Sequence, residues 1–173
     1  MSLFRVFPLL FTMALIAPAL EGCGLHPLYS GGIGGNVGQT LAQVSVAPIE
    51  GQAGFLVGNA LRDRLAATGS NTARYRLEIR LDDKINGLGV RRDDSVSRER
   101  RSLRARYQLV DLSNGAVLID ATAGSDAGID VVGSEYATIA AENSALERLS
   151  SIVADQIVAR IALYAERTGA RAP

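Results

Sequence analysis

Arginine dominates the charged part of this 173-residue sequence. Between residues 91 and 106 there are seven arginines and three acidic residues, a local charge of 7 − 3 = +4 in a chain whose formal net charge is zero. Guanidinium groups donate paired hydrogen bonds to carboxylates and phosphates, so this segment could bind anions. Alternation along two predicted neighbouring strands would place seven arginines on one sheet face: Arg74, Arg76, Arg80, Arg98, Arg100, Arg104 and Arg106.

The same face could equally be an ordinary solvated surface. Glu78 and Asp82 share its strand parity and could pair with arginines across the sheet. Such pairs stabilise a sheet by roughly 0.2–1 kcal/mol each and need no ligand. The residues alone leave an anion site and a solvated face about equally supported.

Catalytic chemistry has few candidate residues. The single histidine, His26, and the single cysteine, Cys23, lie near the N-terminus, so no nucleophile and histidine pair can form inside a domain. Adjacent carboxylates occur at 82–83 and 93–94, but neighbours on a strand point to opposite faces. One competing function, that of a lipid-anchored hydrolase, would need a carboxylate pair in a cleft, and these doublets do not form a convincing pair. We therefore expect no enzyme, metal or cofactor, and the zero net charge argues against nucleic acid as a partner.

Residues 1–22 are predicted to be a signal peptide. Arg5 precedes an uncharged, mostly apolar run from Val6 to Leu20, which is too short for the roughly 20 residues of a spanning helix. Residues 20–23, Leu-Glu-Gly-Cys, resemble a bacterial lipobox, in which the cysteine becomes the acylated first residue of the mature protein. Cys23 is therefore the predicted lipidation site. A free thiol is the alternative, because Glu21 stands where a small or aliphatic residue is usual.

The mature chain divides into a tether and one domain. Residues 23–40 form the predicted lipidated N-terminus and Gly-rich tether, and 24–40 contain no charged side chain. A single domain is expected over 41–168, followed by a tail at 169–173. The glycines miss the dinucleotide-binding spacing, so a nucleotide loop is excluded.

Periodicity predicts six elements in that domain. Apolar residues alternate along strands at 41–49, 74–85 and 96–111, and along a fourth that begins at 117 and fades into a loop at 124–133. Spacings of three and four predict helices at 52–68 and from 134 to about 167. Each element has one apolar face. The expected fold is therefore an α+β two-layer sandwich, order β-α-β-β-β-α, with a four-stranded, mostly antiparallel sheet and two helices on one face.

The start of the predicted mature chain carries a resemblance. Residues 23–30, Cys-Gly-Leu-His-Pro-Leu-Tyr-Ser, resemble the opening of the LptE family of lipopolysaccharide-assembly lipoproteins. The element order, the Arg-rich third strand and the Tyr136–Ala137 start of the last helix are similar as well. The resemblance implies a non-enzymatic, lipid-anchored outer-membrane protein on the periplasmic side that plugs and supports an LptD-like β-barrel. The pair would deliver lipopolysaccharide to the cell surface.

That resemblance also gives the arginines a candidate ligand, because lipopolysaccharide carries phosphates and sugar acids. Assigning this role to Arg98, Arg100, Arg104 and Arg106 is a hypothesis from strand parity, and the polar interior of the barrel is another partner for them. The competing function is a structural adaptor lipoprotein of a different envelope complex, for secretion or barrel assembly, with no lipid ligand.

Overall fold

The fold is built on a long, mostly antiparallel sheet. The computed structural model describes residues 35–66, 73–90 and 96–169. Its elements in chain order are α1 (Asn36–Ala42), β1 (Val44–Val46), α2 (Gly51–Ala66), β2 (Tyr75–Val90), β3 (Val96–Asp111), β4 (Val117–Asp130) and α3 (Glu135–Gly169).

The sheet has the order β1-β2-β3-β4. β1 pairs with β2 in parallel through three residues, and the other two pairs are antiparallel. At about 3.3 Å per residue, the 16-residue strands β2 and β3 are on the order of 50 Å long. The register places Arg80 opposite Arg106 and Leu81 opposite Ala105, so residues of one parity share each face. Two long strands therefore display a continuous charged face and a continuous apolar face.

The helices cover the apolar face. α3 has 35 residues, which at 1.5 Å each is about 52 Å, and it therefore matches the sheet in length. Ser134 accepts a backbone hydrogen bond from Thr138 at the start of this helix. Fully buried side chains from both layers form the core, among them Leu61, Leu77, Leu103, Leu109, Leu146, Val153, Ile157 and Ile161. The α+β fold expected from the sequence, with a mostly antiparallel four-stranded sheet, is confirmed.

The beginning of the domain differs from the sequence prediction. Residues 36–42 form a helix that the pattern did not indicate, and only Val44–Val46 of the expected strand 41–49 pairs with β2. Leu41 is buried, so α1 contributes to the core against α3. The strand stops early because Pro48 has no N–H to donate to a ladder. Residues 36–40, expected in the tether, are therefore helical.

Two strands are longer than predicted. β2 continues from 85 to Val90, and β4 continues through the expected loop to Asp130. Gly87 and Gly124 have low strand propensity, but each has a β3 residue opposite it, Glu99 and Arg104. Pairing with β3 outweighs local preference at both positions. The signal peptide, Cys23 and residues 67–72 lie outside the described residues.

Candidate anion-binding face

Six of the seven predicted arginines lie on the sheet face that points away from the helices, which we call the arginine face. β2 contributes Arg76 and Arg80, and β3 contributes Arg98, Arg100, Arg104 and Arg106. All six side chains are exposed. Their alternation with buried residues such as Leu103 and Ala105 keeps them on one side.

Arg74 does not belong to this face. It precedes β2, and its guanidinium lies 5.3 Å from the centre of the Tyr75 ring, within cation–π range. Its Nη2 atom is 3.5 Å from the buried carboxylate of Asp111. The prediction that Arg74 shares the arginine face is therefore wrong, because the strand begins one residue later, at a sheet corner where β3 ends.

Acidic residues of β4 neutralise three of the β3 arginines. Asp130 is 3.0 Å from Arg98, Asp126 is 2.7 Å from Arg104, and Asp120 is 3.3 Å from Arg106. Strand parity had predicted Glu78 and Asp82 as the pairing acids. In the structure Glu78 pairs with Arg76 and Asp82 with Lys84, each within its own strand.

The contacts around these carboxylates lower their pKa values. Hydrogen bonds from Arg104, and then from Ser102, lower the pKa of Asp126. A hydrogen bond from Gln108 at 2.9 Å is the largest cause of the lowered pKa of Asp120, followed by the longer contact with Arg106. Asp120 is therefore shared, and Arg106 is the least strongly paired of the three arginines.

Arg104 is also fixed by packing. Its Nη1 donates to the Ser125 carbonyl at 2.9 Å. A Cβ added at Gly124 would lie 2.5 Å from Cδ of Arg104, so the arginine stem occupies the space above that glycine. With its stem against Gly124 and its head on Asp126, Arg104 is held on the sheet and is poorly placed to reach a ligand.

Arg80 and Arg106 form a weakly neutralised pair of like charges on the face. They stand directly opposite each other across β2 and β3. Among the described residues, Arg80 has no acidic partner within ion-pair distance, and Arg100 has none either. Two like charges placed opposite destabilise a sheet, so a bound anion between Arg80 and Arg106 would relieve repulsion.

A cleft adjoins this pair. It has a volume of about 470 Å³ and is lined by Ala47, Pro48, Glu78, Ile79, Arg80, Arg106, Tyr107 and Gln108. Ala47 and Pro48, which follow β1, line one side of it. The guanidinium pair therefore lies in a shallow, partly walled groove, a setting that suits a phosphate or carboxylate group.

The acidic residues of β4 were not among the predicted site residues. Asp126 and Asp130 were predicted to lie in the loop at 124–133, because Gly124, Ser125 and Gly128 are weak strand formers. Asp120 lay within the predicted fourth strand and shares the even parity of the arginines. Strand parity therefore indicated Asp120 as a neighbour of the arginine face, but not Asp126 or Asp130.

A buried arginine on the opposite face was also missed. Arg101 is 8% exposed and faces the helices. Its guanidinium donates to both carboxylate oxygens of Asp83, at 2.9 and 2.6 Å, and to the Glu142 backbone carbonyl at 2.9 Å. The hydrogen bond to Asp83 is the largest cause of the raised pKa of Arg101. This group joins β2, β3 and α3 and is structural.

Carboxylate chemistry finds no support in the described part of the chain. Asp82 and Asp83 point to opposite faces, and each is paired with a cation. Asp93 and Asp94 lie outside the described residues. Within residues 35–66, 73–90 and 96–169, no group of three or more potential metal ligands is present. No helix in those ranges combines the length and apolar character needed to cross a bilayer.

A comparison with known protein families shows which family this chain belongs to. Residues 41–161 match the sequence profile of the LptE lipopolysaccharide-assembly family, which covers well over half of the chain. This chain belongs to the LptE family. The resemblance noted at residues 23–30 therefore extends to the domain itself, and the family assignment places the chain in lipopolysaccharide assembly.

Solved structures share the fold. A putative lipoprotein from Caulobacter crescentus is 24% identical, with a TM-score of 0.65, covering 76% of this chain and 98% of that one. A minor lipoprotein from Acinetobacter baumannii is 13% identical, with a TM-score of 0.57 and coverage of 70% and 92%. Rare lipoprotein B from Shewanella oneidensis is 13% identical, with a TM-score of 0.54 and coverage of 73% and 98%. No curated protein matches the chain.

Proposed function

We propose that this protein is a lipid-anchored outer-membrane component that supports an LptD-like β-barrel during the delivery of lipopolysaccharide to the outer leaflet. Within that role, the arginine face offers a binding site for the phosphates or sugar acids of lipopolysaccharide. Family membership over residues 41–161 supports the assembly role. Catalysis is not part of the proposal, which requires only binding and mechanical support.

The observation that carries the binding site is the Arg80–Arg106 pair. The two guanidinium-bearing residues are opposite in register, and Arg80 has no acidic partner within ion-pair distance among the described residues. The adjoining cleft exposes both residues to solvent. Arg100 also lacks such a partner on the same face. The binding site predicted over seven arginines thus narrows to Arg80, Arg106 and Arg100.

One observation favours the structural adaptor as a second candidate. Acidic residues form ion pairs with Arg98, Arg104 and, at a longer distance, Arg106. A face neutralised by its own carboxylates is stable without ligand and presents mixed charges, which suits a polar protein surface such as a barrel interior. The adaptor therefore predicts that lipopolysaccharide binding does not depend on Arg80 and Arg106.

Charge reversal tests the site directly. The double variant R80E/R106E should bind purified lipopolysaccharide at least about tenfold more weakly than the wild type, since tenfold corresponds to about 1.4 kcal/mol and each lost charge-assisted hydrogen bond is worth about 1.5–3 kcal/mol. Both side chains are exposed, so folding should persist. Isothermal titration at fixed salt concentration measures the affinity, and circular dichroism monitors the fold.

The matched control is R62E/R148E, which makes the same charge change in the helical layer, where both arginines are exposed. It should leave lipopolysaccharide affinity close to the wild-type value. Equal losses in both double variants would indicate a nonspecific charge effect. Unchanged affinity in R80E/R106E would remove the anion site and favour the adaptor.

A further inference from the structure

The start of the described chain, at residue 35, and the turn between β3 and β4 lie at the same end of the molecule. A polar cavity of about 410 Å³ is lined by Asn36 of α1, Asp111 at the end of β3, Leu118 at the start of β4 and Gly169 at the end of α3. The side chain of Asn36 also touches the Gly169 position. The segment that precedes residue 35 therefore enters the domain beside the β3–β4 turn.

This turn has an unusual surface. Residues 112–119, Leu-Ser-Asn-Gly-Ala-Val-Leu-Ile, contain no charged side chain. Leu112 is 45% exposed and Val117 is 52% exposed, so two large apolar side chains flank the tip. Asn114 and Gly115 fix the turn, with Gly115 at a φ of 72° and the Asn114 side chain accepting from the Ala116 N–H. The apolar pair is thus presented on a rigid hairpin end.

Cationic and aromatic groups lie next to this tip. The backbone carbonyl of Arg74 accepts a hydrogen bond from the Leu112 N–H, and the Arg74 side chain is 58% exposed over the Tyr75 ring. The nearest carboxylate, Asp111, is buried and accepts hydrogen bonds from both the N–H and the hydroxyl of Ser113. Arg74 is therefore one exposed cation of this corner, and Arg160 and Arg167 of α3 add two more beside Leu118, together with the exposed Asp120.

We propose that the β3–β4 turn docks on the phospholipid surface of the membrane that holds the anchor, with Leu112 and Val117 at the headgroup level. Apolar side chains beside a cation and an aromatic ring are the composition of proteins that bind membrane interfaces. The inference rests on the lipid anchor of the proposed function.

The length of the tether restricts which end can dock. Eleven residues lie between Cys23 and Gly35, and an unstructured chain of that length would span on the order of 20 Å. The hairpin of β2 and β3 extends on the order of 50 Å away from this end. With the turn docked and the sheet upright on the bilayer, the exposed apolar residues at the far end, such as Val132 and Tyr136, would lie away from the membrane.

The absence of tryptophan from the chain gives a clean experiment. Leu112→Trp introduces a single fluorophore at the turn, and Val132→Trp introduces one at an equally exposed apolar position at the other end. Each full-length protein is purified from membranes with its anchor and reconstituted into vesicles of phosphatidylethanolamine and phosphatidylglycerol. Matched vesicles carry brominated acyl chains, which quench tryptophan in contact with the hydrocarbon boundary.

The expected result is a blue-shifted emission that bromine quenches for Leu112→Trp and an unquenched, water-like emission for Val132→Trp. Val117→Trp is the second reporter if Leu112→Trp does not fold by circular dichroism. If the protein sediments with the vesicles but bromine does not quench Leu112→Trp, the docking proposal is wrong while the lipid anchor is supported. Equal quenching at both ends overturns it as well. A protein that does not sediment overturns both the docking and the anchor on which it rests.

Discussion

Neighbouring arginines of β3 have different roles because strand parity assigns them to different environments. Arg100 points to solvent, whereas Arg101 is buried beneath α3. Arg101 donates three hydrogen bonds, two to the Asp83 carboxylate and one to the Glu142 carbonyl. A buried guanidinium is tolerated only when it is paired and hydrogen-bonded. The exposed arginines are therefore available for binding, whereas Arg101 stabilises the fold.

Replacing Arg101 should destabilise the fold strongly. Arg101→Met leaves the Asp83 carboxylate without its bidentate partner, and breaking a largely buried pair costs about 3 kcal/mol. Urea denaturation measures the change in the free energy of unfolding. The double variant R101M/D83L removes both charges and should recover most of the loss, because no unpaired carboxylate is left.

Arg98 supplies the matched control on the exposed face. Its pair with Asp130 has side chains 65% and 76% exposed, so Arg98→Ala should cost under about 1 kcal/mol. Similar losses for Arg101→Met and Arg98→Ala would contradict a structural role for the buried pair.

At the scale of the elements, β4 is held to β3 partly by its carboxylates. The pKa of Asp126 and that of Asp120 are lowered in the folded state, by hydrogen bonds led by Arg104 and Gln108 respectively. A lowered folded-state pKa adds stability that is present above the ordinary aspartate value of about 3.9 and is lost as the pH falls through the folded-state value.

The expected outcome is a larger loss of stability on acidification in the wild type than in D120N/D126N. Urea denaturation at pH 6 and at pH 2.5 gives the two differences. The asparagine variant should be less stable at pH 6 and should lose less between the two pH values. A parallel loss in both proteins would mean that these two pairs contribute nothing to the acid sensitivity of the fold.

Periodicity predicted the elements whose own residues form the core. Leu103, Ala105, Tyr107 and Leu109 alternate with polar residues and are buried as expected. The last helix begins at Glu135, directly after the predicted cap at Ser134. Both layers and the even-numbered arginine face could therefore be predicted, because the burial of one face is encoded in the local alternation of residues.

Features that depend on distant partners could not be predicted in this way. Gly124 and Gly128 are in a strand only because β3 is long enough to pair with them. α1 has a weak helical pattern and is placed by the contact of Leu41 with the core. The neutralisation of Arg104 followed from the same extension, since Asp126 reaches the arginine face only as part of β4.

At the scale of the whole molecule, the helices form one layer on one side of the sheet. This arrangement leaves the arginine face open along about 50 Å and places the entry of the chain beside the β3–β4 turn. The described residues thus present a charged sheet face and an apolar turn that share no residue. The proposals assign the sheet face to lipopolysaccharide or the barrel and the turn to the membrane surface.

The anchor gives a prediction that does not depend on the fold. Cys23→Ala should release the protein from the membrane fraction and abolish incorporation of radiolabelled palmitate, because two or more acyl chains make attachment effectively permanent. Ser30→Ala is the control and should remain membrane-bound and labelled. Full membrane retention of Cys23→Ala without label would contradict lipidation at this position.

The measurement that tests the central claim most directly is affinity purification of the tagged protein from detergent-solubilised outer membranes, with mass spectrometry of the proteins that co-elute. The account predicts a stoichiometric large β-barrel protein of the LptD type, retained at a salt concentration that removes nonspecific contacts. Recovery of a different envelope complex, with no such barrel, would contradict the proposed role in lipopolysaccharide delivery.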